Sequence, residues 1–316
     1  MKYYIFLILV VYTLIGCYKD VSEVPREFGK AGSNEILHFT LENNEFSSIY
    51  YPKDFSLLKS KAPVIFLASG WFSEPQKSIT YESLITFMVS HGAVVIYTYE
   101  GAKTSAQHSI DGYNEVLASD FVRKNIWEHV DTNKIGVVGH SAGGGLVFKI
   151  MDYYSKVKKY GSQGRFIMAL DPWFAFDMDS IAMKILPQNT NTVIVKFGVG
   201  GNNDADGTDA RIPLTEFYLL ESIDNKNKDY QIFENADHAY PKGERPFSEM
   251  QGILKPLDAL MEYTFVNQSE GVRKTALENG NDDPYGSGIQ VVKSKSEYAY
   301  PCDGAQTLID YCKIVE

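Results

Sequence analysis

The residues with the clearest capacity for chemistry lie in Ile135-Gly136-Val137-Val138-Gly139-His140-Ser141-Ala142-Gly143-Gly144. An apolar stretch there enters G-x-S-x-G and continues into a helix-capable segment. A sharp strand-to-helix turn needs small residues on both sides of the serine, because its backbone is strained and neighbouring Cβ atoms would clash. The helix that follows points its N-terminal dipole at negative charge developing beside the serine. That combination describes a nucleophile, Ser141. A serine hydroxyl is a weak nucleophile until a base takes its proton. Six histidines compete for the role of base, namely His38, His91, His108, His129, His140 and His238. Attack on a carbonyl puts charge on oxygen, which backbone N–H groups receive, and one of these should belong to Ala142, next after the serine.

Short apolar or alternating runs between turn signals predict the elements that must position these groups. Strands are expected at Glu35–Leu41, Ser47–Tyr51, Val64–Ala68, Ala93–Thr98, Lys134–Val138, Arg165–Leu170, Thr192–Phe197 and Asp229–Phe233, the first two close enough for a hairpin. Helices are expected at Tyr81–His91, Asp111–Glu128, Ala142–Tyr154, Ile212–Ile223 and Pro246–Phe265. Alternation of this kind indicates parallel β-α-β units with helices on both sheet faces. Ligands in such sheets sit at the carboxyl ends of the strands.

These elements sort the candidates. His38 falls in the first strand, His91 and His129 at helix ends, and His108 in a loop after the fourth strand, within reach of a substrate. His140 sits inside the turn, so its side chain should point away from Ser141. His238 lies on the loop off the tip of the last strand. Among the acids, Asp171 stands at the tip of the sixth strand, where it also suits the cap of a helix starting at Pro172. Asp204, Asp206 and Asp209 share the long loop after the seventh strand. A strand tip holds a carboxylate more rigidly than a glycine-rich loop, which favours Asp171.

Together these segments resemble the α/β-hydrolase family over residues 35–265, in its dienelactone-hydrolase-like, cutinase-like, chlorophyllase-like and platelet-activating-factor-acetylhydrolase-like branch. Leu67-Ala68-Ser69-Gly70-Trp71-Phe72 resembles the family's oxyanion loop after the third strand. Ser90-His91-Gly92-Ala93-Val94-Val95 resembles its helix-to-fourth-strand junction, and Val130-Asp131-Thr132-Asn133-Lys134-Ile135 the turn feeding the nucleophile strand. The resemblance implies an α/β-hydrolase fold, an eight-stranded and mostly parallel sheet flanked by helices. It implies His238 as base, because the family's base follows the last strand in the chain order Ser, acid, His. It implies Trp71 as the second oxyanion donor; the indole of Trp71 either walls the acyl pocket or is a core or rim aromatic. For the acid it points two ways. Leu170-Asp171 resembles the L-D-x-x setting of chlorophyllase-like enzymes, whereas Asp209-Ala210-Arg211-Ile212-Pro213 resembles the D-x-x-[IV]-P of enzymes whose acid follows the seventh strand. The expected triad is Ser141, His238 and Asp171, with Asp209, Asp204 and Asp206 open as alternatives. This chemistry needs no cofactor and no metal. Asn202-Asn203-Asp204-Ala205-Asp206-Gly207 resembles half a calcium loop, but Pro213 stands where a bidentate Glu would be needed.

The chain's first residues read as an address. Lys2 precedes an apolar run from Tyr3 to Ile15, and Leu14-Ile15-Gly16-Cys17 resembles the lipobox of bacterial lipoproteins, cut before a lipidated cysteine. Residues 1–16 are then a signal peptide. Residues 17–34, polar and broken by Pro25, Gly29 and Gly32, are a tether from Cys17 to the domain. Beyond it, residues 266–316 form an extension that is rich in Asn, Asp, Gly and Ser, carries a short strand-like Ile289–Lys293 and ends in the pair Cys302 and Cys312. An exported chain permits a disulfide between them.

Composition narrows the class further. A net charge of −10 over 316 residues argues against a nucleic-acid binder, since phosphate backbones need a basic face. The expectation is a serine hydrolase of small-molecule carboxylic esters, held to the bacterial cell envelope by its lipid and facing the periplasm or the outside. A serine peptidase or amidase, and a non-catalytic surface lipoprotein on a hydrolase scaffold, are the competing expectations.

Overall fold

The computed structural model describes residues 27–71, 77–99, 105–198, 208, 211–233, 236–278 and 289–291. Cys17, Cys302, Cys312, Asp204, Asp206 and Asp209 lie outside them, as do the half calcium loop and the segment 1–16. Among the described residues no helix is long and apolar enough to cross a membrane.

A single mixed sheet runs through the molecule. Its strands are β1 (Ile36–Leu41), β2 (Asn44–Pro52), β3 (Ala62–Ala68), β4 (Val94–Thr98), β5 (Val130–His140), β6 (Gly164–Leu170), β7 (Thr190–Phe197), β8 (Lys228–Phe233) and β9 (Ile289–Val291). They lie in the order β1-β2-β4-β3-β5-β6-β7-β8-β9. From β4 to β8 every neighbour is parallel, while β1, β2 and β9 pair antiparallel at the edges. All eight expected strands are present, and the short strand expected near Ile289 adds to the β8 edge.

Both faces of the sheet are covered, which explains the continuous apolar runs of the central strands. Along β3, Val64, Phe66 and Ala68 join one hydrophobic cluster and Ile65 and Leu67 the other, the period of two that a strand imposes. The first cluster is closed by α2 (Ala106–Ala118), α3 (Asp120–Asn125), α4 (Ala142–Lys156), α5 (Ser180–Lys184) and α6 (Arg211–Leu219). On the other face lie α1 (Glu82–Ser90), α7 (Gln251–Phe265) and α8 (Glu270–Leu277).

Helix boundaries differ from expectation in ways with local causes. The helix expected over Asp111–Glu128 breaks at Ser119, whose extended backbone and side chain cap α3 through the Val122 N–H. α2 also begins earlier, at Ala106, capped by Ser105. His108 therefore sits in the first turn of a helix and not in a loop. α5 and α8 add to the expected helices, α8 contributing Val272, Ala276 and Leu277 to the core. The segment read as tether is docked from Phe28 onward. Phe28 is buried, Gly29 N–H donates to Asp258, and Gly32 N–H donates to Ser90 Oγ.

Candidate active site

Ser141 follows β5 directly and caps α4 with φ 57° and ψ −123°. A non-glycine residue in that region is strained and persists only where its surroundings over-determine it. Here three backbone bonds hold it. Ser141 N–H donates to Leu170 O at 3.0 Å, while Ser141 O accepts from Trp173 N–H at 2.8 Å and Gly145 N–H at 3.2 Å. The flanking glycines are required by contact. A Cβ on Gly139 would lie 2.2 Å from Gly143 O, and one on Gly143 would lie 2.3 Å from Ala68 O. The turn therefore packs backbone against backbone on both sides.

His238 comes to this serine from the loop after β8. Its Nε2 stands 2.9 Å from Ser141 Oγ and its Nδ1 2.5 Å from Asp171 Oδ2. An ionised carboxylate only accepts, so Nδ1 carries the proton and Nε2 presents a lone pair to the serine hydroxyl. Asp171 leaves the tip of β6 with φ 43° and is fully buried. Besides His238 it accepts from Phe197 N–H at 3.2 Å, Thr208 N–H at 3.0 Å and Thr208 Oγ at 3.0 Å. The buried Lys196 ammonium stands 3.3 Å away and also donates to Phe197 O. Asp171 is not a helix cap: the chain runs on through residues 172–179 before α5 begins.

Ala142 is the first residue of α4, where an N–H has no partner inside the helix. Gly70 is close enough to Ser141 that a Cβ on it would stand 3.1 Å from Ser141 Cβ, which brings Trp71 to the same end of the sheet. The Trp71 side chain is 59% exposed, so it belongs to the rim and not to a core. His38, His91 and His129 are engaged elsewhere, and His108 is exposed in the first turn of α2. His38 stacks on Tyr50 and His129 on Phe55. His91 meets Lys30 O and Asp258 beneath α1. Among the described residues no three or more His, Cys, Asp or Glu side chains converge as a metal set would.

His140 carries more than its place in the motif foretells. It points away from the nucleophile, yet its Nε2 bonds His238 O at 2.8 Å and its Nδ1 bonds Tyr81 Oη at 2.9 Å. Its ring also lies 4.7 Å from that of His238. Burial holds the His140 pKa well below the ordinary histidine value, and the neighbouring His238 and Lys242 add to that effect. The imidazole is thus neutral. With a carbonyl as the Nε2 partner, Nε2 bears the proton and Nδ1 accepts from Tyr81. No sequence motif marks Tyr81, Thr208 or Lys196, since each reaches the site through the fold.

A separate cavity of about 210 Å³ opens at the opposite ends of the strands, lined in part by Lys61, His91, Lys134 and Asp258. There Lys134 Nζ donates to Phe265 O. No protein-family model matches the chain, and no curated protein matches it.

Proposed function

We propose that the protein is a serine hydrolase of carboxylic esters, built on the α/β-hydrolase pattern and acting by two-step acyl transfer. One observation carries the reading: Ser141 Oγ, the His238 imidazole and the Asp171 carboxylate form an unbroken relay across the tips of β5, β8 and β6. His238 Nε2 takes the Ser141 proton as Oγ attacks the ester carbonyl, and Asp171 stabilises the imidazolium that forms. The N–H groups of Ala142 and Trp71 receive the charge on the carbonyl oxygen. The imidazolium then protonates the departing alkoxide, leaving an acyl-enzyme. Water enters along the same path, gives its proton to His238, and releases the acid while Ser141 regains its hydrogen. No step requires a metal or a cofactor.

Location belongs to the same proposal. The lipobox-like Leu14-Ile15-Gly16-Cys17 supports a lipid on Cys17 and a place in the bacterial envelope, where Cys302 and Cys312 would form a disulfide.

Fluorophosphonate labelling of the purified protein tests the reading. The wild type should be labelled on Ser141 and should hydrolyse a p-nitrophenyl short-chain ester. Ser141→Ala, folded by circular dichroism, should lose both, with a drop in turnover of several orders of magnitude. A folded wild type that takes no label favours the non-catalytic scaffold. Label with amide but no ester turnover favours the peptidase.

A further inference from the structure

A buried polar chain passes behind Ser141 and joins the two loops that flank it. Gly70 N–H donates to Tyr81 Oη at 2.9 Å, Tyr81 Oη–H donates to His140 Nδ1 at 2.9 Å, and His140 Nε2–H donates to His238 O at 2.8 Å. Both middle members are fully buried. Burial raises the Tyr81 pKa as it lowers that of His140, so the phenol keeps its proton and the imidazole stays neutral. Every donor in the chain then meets one acceptor, and the direction of each bond is set.

We infer that Tyr81 and His140 are positioning residues that lock the oxyanion loop and the base loop into one geometry around Ser141. The inference rests on the hydrolase reading. At one end of the chain, the Gly70 amide lies immediately before the peptide whose N–H belongs to Trp71. Holding that amide restrains the loop from which the oxyanion donor projects. At the other end, the His238 carbonyl is held while its ring reaches Ser141 and Asp171. Backbone and side chain of the base are thereby fixed from two directions. There is little slack between the ends: a Cβ on Gly70 would stand 3.1 Å from Ser141 Cβ, 3.3 Å from His140 Nδ1 and 3.3 Å from Tyr81 Oη.

The chain also explains why histidine stands before the nucleophile. At the end of β5 a side chain pointing away from Ser141 must meet both a hydroxyl and a carbonyl within a dry core. Neutral imidazole offers one acceptor and one donor on opposite sides of a rigid ring. Leucine there would leave the Tyr81 hydroxyl and the His238 carbonyl without that partner. Glutamine still places an amide donor near the carbonyl.

Small displacements of reacting groups carry large rate penalties, up to about 100-fold for a shift near 1 Å. Tyr81→Phe keeps the ring and removes the hydroxyl. His140→Leu removes both bonds, and His140→Gln restores the one to His238. The expected result is a fall in kcat of about 10- to 100-fold for Tyr81→Phe and His140→Leu, with KM within about threefold. His140→Gln should recover much of the lost kcat. Because one chain is cut at two places, the double variant Tyr81→Phe/His140→Leu should be little slower than the slower single one. The rate of fluorophosphonate labelling should fall in parallel.

Wild-type kcat in folded Tyr81→Phe and His140→Leu, or effects that multiply fully in the double variant, would overturn the inference while leaving the hydrolase intact. Should His140→Leu fail to fold, Tyr81→Phe decides alone: a folded Tyr81→Phe with wild-type kcat overturns the inference. A wild type with neither ester turnover nor label overturns the hydrolase reading itself, and this inference with it.

Discussion

Asp171 is held by more donors than the orientation of one imidazole requires. Two backbone amides, a threonine hydroxyl and an ammonium converge on it besides His238. All of them donate, and a carboxylate is the one side chain of this shape that accepts at every lone pair. Asp171→Asn is nearly isosteric but turns one accepting oxygen into a donating NH₂. That group must face the His238 and Thr208 N–H donors or the Phe197, Thr208 hydroxyl and Lys196 donors. We expect turnover to fall by about 10⁴-fold, as for loss of a triad carboxylate, with a lower melting temperature as well. Asp209→Asn should change turnover by less than about threefold, because Asp171 already fills the carboxylate position at His238 Nδ1. Steady-state kinetics on both variants, with circular dichroism to establish folding, gives the comparison. A dead Asp209→Asn beside an active Asp171→Asn would move the acid to Asp209. At this scale Ser141 was legible because a strained turn leaves a spacing of small residues. Position after the last strand marked His238, as the family resemblance implied. Lys196, Thr208 and Tyr81 left no such mark. Their roles arise from which strand tips meet, and nothing in their flanks encodes that.

Elements position the three groups through backbone contact as much as through side chains. The order β4-β3-β5 reverses direction beside β5, and Ser141 stands at the carboxyl end of that crossing, where open α/β sheets bind ligands. α4 approaches β3 so closely that Gly143 touches the backbone of Ala68 and Ser69. A methyl group at Gly143 would lie 2.3 Å from one carbonyl oxygen and 2.4 Å from the other, neither of which can swing aside. Gly143→Ala should therefore destabilise by at least about 3 kcal/mol, at the upper end of overpacking effects, and disturb Ser141. Gly271→Ala in α8 meets nothing within 4 Å and should be neutral or stabilise by up to about 1 kcal/mol. Urea unfolding of the two variants checks the contrast, and equal effects would mean that helix propensity, not contact, governs both. The strands were legible here because burial on two faces writes long apolar runs. Helix ends were less so. Ser119 reads as a tolerable helix residue, and only its extended backbone reveals that it ends one helix and caps the next.

The molecule as a whole carries a net charge of −10, which bears on how it would be held at a membrane. Anionic lipid surfaces attract basic segments by about 1 kcal/mol per charge, and an acidic protein gains nothing from them on balance. Among the described residues no helix is long and apolar enough to cross a membrane; the attachment proposed above is the lipid at Cys17, on the lipobox resemblance. A single acyl chain gives only marginal and reversible binding, whereas the diacylglycerol implied by the lipobox resemblance supplies two chains. Docking of Phe28, Gly29 and Gly32 on the domain shortens the free tether. Residues 18–27 remain to span the gap, and fully extended they reach at most about 35 Å. Were Cys17 lipidated, the domain would work within that reach of the lipid surface. Cys17→Ser should consequently move the protein entirely into the aqueous phase on detergent partition and abolish incorporation of labelled palmitate. Ester turnover in solution should be unchanged, because Cys17 lies outside the catalytic set. A Cys17→Ser protein that still fractionates with membranes and takes up palmitate would place the anchor elsewhere in the chain. One that fractionates with membranes without palmitate would show that the acidic surface is not the obstacle to lipid contact that its charge implies.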